Sequence, residues 1–247
     1  MKFNIDSKIM QKALEDIQGK GKYGISNSNL DDCVYLNLEG NTLEMWNADS
    51  TLSLNLNLEV EGEEDGEFIF DAKTLSPFIK KFSGTVTFTG EDTLNVSCNN
   101  QSATLPRIFA HASMNSISRI RGMLEHITYE EVPETLFMFG SAKWEAAFTL
   151  HSEDFRKTMG LCELVKSGIY KVDYDNGTVK ISSQSSATNR YEEVMDSSNN
   201  IGEAATVEWS GPLHKFFDGK INVYLKDEFP ILLVGEDRKL IRAPHMS

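Results

Sequence analysis

Along most of the chain, apolar residues recur at every second position. From Asp31 to Leu58 they fall at Val34, Leu36 and Leu38, then Leu43 and Met45, then Leu52, Leu54, Leu56 and Leu58. Period two marks strands with one buried face. Asn, Asp and Gly punctuate the run at Glu39-Gly40-Asn41 and Asn47-Ala48-Asp49. A second hairpin is predicted for Thr85–Phe88 and Thr93–Ser97 around Gly90-Glu91-Asp92. A third joins Tyr170–Tyr174 to Val179–Ser182 through Asp175-Asn176-Gly177. Asn-Gly suits such a turn because both central residues must take positive φ.

Four segments show helical spacing instead. Ser7–Gln18 places Ile9, Met10, Ala13, Leu14 and Ile17 on one stripe, with Lys8, Lys12 and Glu15 opposite. Ala72–Phe82 is expected to bury Leu75, Phe78, Ile79 and Phe82 and to leave Lys73, Lys80 and Lys81 outside. Ser152–Lys166 turns Phe155, Met159, Cys162 and Val165 inward, away from Arg156, Lys157 and Glu163. The shortest, Ser210–Phe217, carries Leu213, Phe216 and Phe217 beside His214 and Lys215. Two of the four start after an Asp or Ser able to cap the first turn.

These segments repeat. Phe3-Asn4-Ile5-Asp6-Ser7 lines up with Phe148-Thr149-Leu150-His151-Ser152. The same spacing pairs Met10 with Phe155, Lys12 with Lys157, Leu14 with Met159 and Ile17 with Cys162. Farther on, Thr42-Leu43-Glu44-Met45 matches Thr178-Val179-Lys180-Ile181, and Leu75 and Phe78 match Leu213 and Phe216. The fold expected is α+β: two similar β-rich domains, each with two helices packed on antiparallel sheets. Residues 1–108 form the first domain, 109–134 a connector and 135–247 the second. The connector region lacks clean periodicity over Ala110–Arg121, yet Met114, Ile117, Ile120, Met123, Leu124, Ile127 and Tyr129 make it too apolar for a mere spacer.

Composition narrows the class. The 247 residues are 40% hydrophobic and 25% charged, as in an ordinary globular protein. No run approaches the ~18 apolar residues of a membrane span, and Asn4 and Asp6 interrupt the stretch where a signal peptide needs apolar residues. The expected setting is intracellular and reducing, with no membrane partner. It would be the cytoplasm or nucleoid of a prokaryote or virus-infected cell, or a eukaryotic nucleus. Cys33, Cys98 and Cys162 are odd in number and widely spaced, which excludes a disulfide scaffold and a cysteine-based zinc site.

Charge changes the picture more. With 24 Lys+Arg against 37 Asp+Glu the formal net charge is −13. Residues 6–22, 71–84, 151–168 and 208–220, the helical segments with their flanks, nevertheless hold 12 basic residues against 9 acidic ones. The other 185 residues hold 12 against 28. Positive charge is therefore gathered on a few helices of an otherwise acidic body. Such a surface suits phosphate, and lysines on helix faces bind a duplex backbone without reading its bases.

Motifs for covalent or cofactor chemistry are lacking. Gly19-Lys20-Gly21-Lys22-Tyr23-Gly24 matches G-x-G-x-x-G, but it follows a helix where a dinucleotide site needs a strand, so its glycines are read as a helix stop. His111, His126, His151, His214 and His245 show no ligand spacing, so no metal is expected. The acidic run Glu61–Glu67 is read as a solvated loop. With no activated nucleophile or acid/base pair, the sequence argues against an enzyme, and no cofactor is expected.

Several segments resemble the DNA sliding clamps of the two-domain kind, proliferating cell nuclear antigen (PCNA) and its archaeal and viral relatives. Phe148–Lys157 followed by Gly177–Ser182 resembles the opening of that family's second domain. Ala48–Leu54 resembles the first-domain strand beside the partner pocket, and Tyr224–Leu232 with Leu240–Pro244 resembles the C-terminal strands and tail. The resemblance implies a ring of three chains around double-stranded DNA, with sheets outside and helices lining the hole. Lys8, Lys12, Lys20, Lys73, Lys80, Lys81, Arg156, Lys157 and Lys215 would then contact phosphates. Partner peptides, from the DNA polymerase, the clamp loader and others, would dock at Leu52, Leu54, Ile127, Pro230, Ala243 and Pro244. Subunits would pair edge to edge through strands near Gln101–Leu105 and Val179–Ser183. A subunit of a heteromeric, checkpoint-type clamp is the alternative within the family. Outside it stands a β-rich viral structural or interaction protein with no DNA role.

Overall fold

The alternating runs become strands. The computed structural model describes residues 1–19, 32–109, 112–125, 138–139 and 142–245. Strand β1 (Lys2–Asp6) leads into helix α1 (Ser7–Ile17), then come β2 (Cys33–Glu39), β3 (Thr42–Ala48), β4 (Leu52–Glu59), β5 (Glu61–Glu64) and β6 (Gly66–Asp71). Helix α2 (Ala72–Ile79) precedes β7 (Thr85–Gly90), β8 (Thr93–Cys98) and β9 (Gln101–Pro106). Helix α3 (Ala112–Glu125) and the two-residue strands β10 (Met138–Phe139) and β11 (Ala142–Lys143) follow. The later half runs β12 (Ala146–His151), α4 (Ser152–Glu163), β13 (Ile169–Asp175), β14 (Thr178–Gln184), β15 (Arg190–Met195), β16 (Ser198–Gly202) and β17 (Ala205–Ser210). It ends with a 3-10 turn, η1 (His214–Phe216), β18 (Lys220–Leu225), β19 (Ile231–Val234) and β20 (Arg238–Arg242).

The chain divides into two compact units at Ser118/Arg119, inside α3. Unit 1 holds a five-stranded sheet in the order β5-β1-β7-β8-β9 and the strands β6-β2-β3-β4. Unit 2 holds β16-β12-β18-β19-β20 and β17-β13-β14-β15. Element for element these are the same orders, with α1 and α4 each following the first strand and α2 and η1 each preceding the seventh. The repeat extends to single hydrogen bonds. The first helical N–H, of Ser7 or Ser152, donates to the carbonyl of Gly84 (2.9 Å) or Gly219 (2.8 Å). Both glycines have positive φ, 93° and 72°, which lets the chain turn into the next strand.

Each unit buries the apolar face of its strands and helices. In unit 1, Phe3 stacks on Phe88 with ring centroids 4.7 Å apart, and Met10, Leu14, Leu75 and Phe70 are buried. In unit 2, Phe148 stacks on Tyr174, and Phe155, Trp209 and Phe217 are buried. The Asn176-Gly177 turn has φ of 47° and 80°, as the hairpin reading requires. Cys33, Cys98 and Cys162 are buried thiols joined by no disulfide. No helix among the described residues is long and apolar enough to cross a membrane.

Some sequence expectations are corrected. Ile9 and Phe78, placed on buried stripes, are 51% and 43% exposed. At 100° per residue each sits about 80–90° from the centre of its buried stripe, so a short helix leaves it on the rim. The segment Ser210–Phe217 is not a helix. Ser210 pairs with Ile169 in the sheet, Gly211 reverses the chain at φ 81°, and only three residues coil. Conversely, Ala110–Arg121, which shows no clean period, contains most of α3. Its apolar residues Met114, Ile117 and Ile120 are spaced by threes among Ser, Asn and Arg, and only Ile117 is fully buried.

Candidate nucleic-acid interface

Helices α1 and α2 owe their position to the strands before them. Asp6, the last residue of β1, caps α1 by accepting from the N–H groups of Lys8 (2.8 Å) and Ile9 (3.4 Å). Asp71, ending β6, does the same for Lys73 (2.8 Å) and Thr74 (3.2 Å). Pro77 withholds one N–H inside α2, and regular helix ends at Ile79. The two helices pack side by side, and Lys80 reaches Glu15 across them at 3.3 Å. Their outer positions are Lys8, Lys12, Lys73, Lys80 and Lys81, all exposed. Lys12 lies 3.9 Å from the buried Asp16, and Lys73 lies 3.9 Å from Asp32. Lys20 lies outside the described residues. Gly19, at φ 64°, ends α1 as the glycine reading anticipates.

Unit 2 presents a different balance. Arg156 bonds Asp218, the Phe217 carbonyl (2.5 Å) and the Ser152 hydroxyl (3.4 Å), so it ties α4 to the turn after η1. Lys157 is exposed, while Lys215 is half-buried 3.9 Å from Glu163. His214 is buried, with Nε2 4.0 Å from the same carboxylate. Burial, then the charges of Lys215 and Arg156, push its imidazole down to about 4. Glu193 of β15 accepts from Tyr191 and Thr158, each at 2.7 Å, and fastens the strand to α4. These bonds, with that of Tyr191 first, hold its carboxyl below the usual range, and the Tyr191 phenol rises to about 12. Sequence reading named Glu163 only as an outward residue and passed over Asp218 and Glu193. The visible clue is the count of acids on α4, where Glu153 and Asp154 fill the first turn.

No protein-family profile matches the sequence, and no curated protein matches it by sequence. Solved structures do match. PCNA of A. fulgidus, in a structure with the C-terminal region of FEN-1 bound, aligns over 100% of this chain and 98% of its own, at 14% identity and a TM-score of 0.70. The chain has the DNA sliding-clamp fold.

The β subunit of DNA polymerase III from Thermotoga maritima aligns over 100% of this chain at 12% identity and a TM-score of 0.72. The clamp-fold chain spans 66% of that subunit's length. A chain of a PCNA2–PCNA3 complex from Sulfolobus tokodaii aligns over 99% of this chain and 99% of its own length, at 10% identity and a TM-score of 0.66.

In this clamp fold the remaining sequence-predicted positions are distributed as follows. Leu52 and Leu54 lie in β4 at 1% and 0% exposure and offer no side chain to solvent. Pro230, Ala243 and Pro244 are half-buried in unit 2, and the Pro230 carbonyl accepts from the Trp144 indole at 3.0 Å. Ile127 lies outside the described residues. The edge-pairing expectation needs correction. The strand β14, which holds Val179–Ser183, is paired on both sides, by β13 and β15. Among the described residues β5, β6, β9, β15, β16 and β17 each end one of the larger sheets; in the sheets that hold the two expected strands, β9 is bonded to β8 alone and β15 to β14 alone. Val194 on β15 is 64% exposed.

Proposed function

We propose that this chain is a DNA sliding clamp, a non-enzymatic processivity factor that encircles duplex DNA and tethers a DNA polymerase. One observation carries the reading: a single nine-stranded topology occurs twice, and lysine-bearing helices stand on an otherwise acidic body. A ring built from such units would turn cation toward the duplex and acid toward solvent. Contacts to phosphate alone are sequence-independent and exchange freely, which permits sliding. The face comprises Lys8, Lys12, Lys73, Lys80 and Lys81 in unit 1 with Lys157 and Lys215 in unit 2. Three copies would close through β9 of one chain and β15 of the next, removing two exposed sheet edges. Polymerase, loader and other clamp-binding peptides would dock on the half-buried Pro230, Ala243 and Pro244.

The test is retention on circular duplex DNA, with release when that DNA is linearised, because only a topological link responds to free ends. Equal release from both forms refutes the clamp reading. The heteromeric PCNA2–PCNA3 complex favours a second arrangement, in which this chain needs a different partner chain. Light scattering separates the two. A mass near three times 27.7 kDa supports the homotrimer, and a monomer at micromolar concentration points to a heteromeric ring.

A further inference from the structure

Resting on the clamp reading, we infer that the two units share the duplex unequally. The helix pair of unit 1 supplies most of the phosphate contacts, and α4 with η1 of unit 2, where cations and acids balance, adds few. The repeat itself provides the comparison. At matching positions, Lys8 of α1 is replaced by Glu153 of α4, and Ile9 by Asp154. From Ser7 to Ile17 and Ala72 to Lys81, unit 1 carries five lysines against two acids, Glu15 and Asp16. Across α4 and η1, unit 2 carries Arg156, Lys157 and Lys215 against Glu153, Asp154 and Glu163.

Placement widens the difference. In unit 1 the side chain of Asp16 is 8% exposed, whereas Lys12 and Lys73 are 57% and 75% exposed. Lys8 and Lys81 have no carboxylate within 4.0 Å among the described residues. Lys12, Lys73 and Lys80 also meet carboxylates, at 3.9, 3.9 and 3.3 Å, but stay 57%, 75% and 52% exposed. In unit 2, by contrast, Arg156 and Lys215, paired with Asp218 and Glu163, are 24% and 32% exposed, and Lys157 and Lys166 stand exposed. After the bonds from Tyr191 and Thr158, the charge of the exposed Lys157 also helps hold the Glu193 carboxyl below its usual range. The first turns are opposed as well. Beyond the capping Asp6 and Asp71, neither α1 nor α2 has an acid there, and each has a lysine one residue into the helix. The exposed Glu153 and Asp154 favour the dipole of α4 but repel an approaching phosphate. A duplex in contact with both surfaces therefore gains more counterion release from unit 1 than from unit 2.

The experiment is retardation on a duplex-DNA column at low salt, read as the salt concentration of elution, with ring mass checked by light scattering. Lys8→Glu/Lys73→Glu/Lys81→Glu is compared with the charge-matched Lys157→Glu/Lys166→Glu/Lys215→Glu. The unit 1 triple should lower the elution salt at least threefold more than the unit 2 triple. Glu153→Lys/Asp154→Lys should raise it above wild type by giving unit 2 the cations it lacks. Equal shifts from the two triples, or no gain from the reversed pair, overturn the unequal sharing and leave the clamp reading standing. A wild-type protein that is neither retarded nor retained on circular DNA overturns both.

Discussion

His214 offers a quantitative check on the packing of unit 2. Its ring is 3% exposed, lies edge-on to Phe155 at 6.3 Å, and has Lys215, Arg156 and Glu163 as its charged neighbours. Among the described residues no hydrogen-bond partner meets its Nδ1. Folded, it titrates near 4, and unfolded near its ordinary 6.5. Below pH 6.5 the unfolded chain binds a proton that the folded chain refuses, so stability is complete above 6.5 and is lost as pH falls toward 4. At 1.36 kcal/mol per unit, this group removes about 1.4 kcal/mol by pH 5.5 and about 2.5 kcal/mol by pH 4.5. Urea unfolding of wild type and His214→Leu at pH 7.5, 5.5 and 4.5, at one protomer concentration, isolates it. Carboxylates titrate in both proteins, so the wild-type-minus-variant difference reports the imidazole. That difference should move against wild type by these amounts. A difference constant within about 0.5 kcal/mol from pH 7.5 to 4.5 would refute a buried, proton-refusing histidine.

Further expectations concern the supports of the helix faces. Arg156→Ala should destabilise unit 2 by about 1–3 kcal/mol, because the Phe217 carbonyl and Asp218 lose a charged donor; thermal unfolding checks this, and an unchanged midpoint would return Arg156 to the solvent. Asp71→Ala should cost about 1 kcal/mol through loss of the α2 cap, with Asp71→Asn restoring most of it in denaturant titrations. Gly202→Ala places a Cβ 2.0 Å from the Glu145 carbonyl oxygen. It should separate β16 from β12, seen as faster amide exchange at Ala146 and Ala147, while Gly219→Ala, which meets nothing within 4 Å, should leave those amides protected. Val194→Lys should reduce the solution mass if β15 is the pairing edge and leave it unchanged if it is not.

What the sequence determined alone is what depends on near neighbours along the chain. Alternation at Val34–Leu38 and Leu52–Leu58, the Asn176-Gly177 turn and the stripe Met10-Ala13-Leu14-Ile17 each follow from local sterics and one buried face. The doubling was legible for the same reason, since Phe3–Ser7 and Phe148–Ser152 carry one pattern. Local pattern does not say which strand lies outermost. The run from Val179 to Ser183 reads as an edge as readily as Arg190–Met195 does. Only the pairing of β14 with β15 assigns the edge, and that pairing joins residues brought together by the loop between them. Nor does it say which charges are spoken for. Arg156 meets Asp218 across 62 residues, so a cation that looks available along a helix is already neutralised in space. The rims of short helices are a third case: Ile9 and Phe78 fall where the burial boundary is drawn by the neighbouring element rather than by their own helix. Periodicity and turn chemistry are written in intervals of a few residues. Edges, partners and exposed charge are sums over the whole fold, and the tertiary structure decides them.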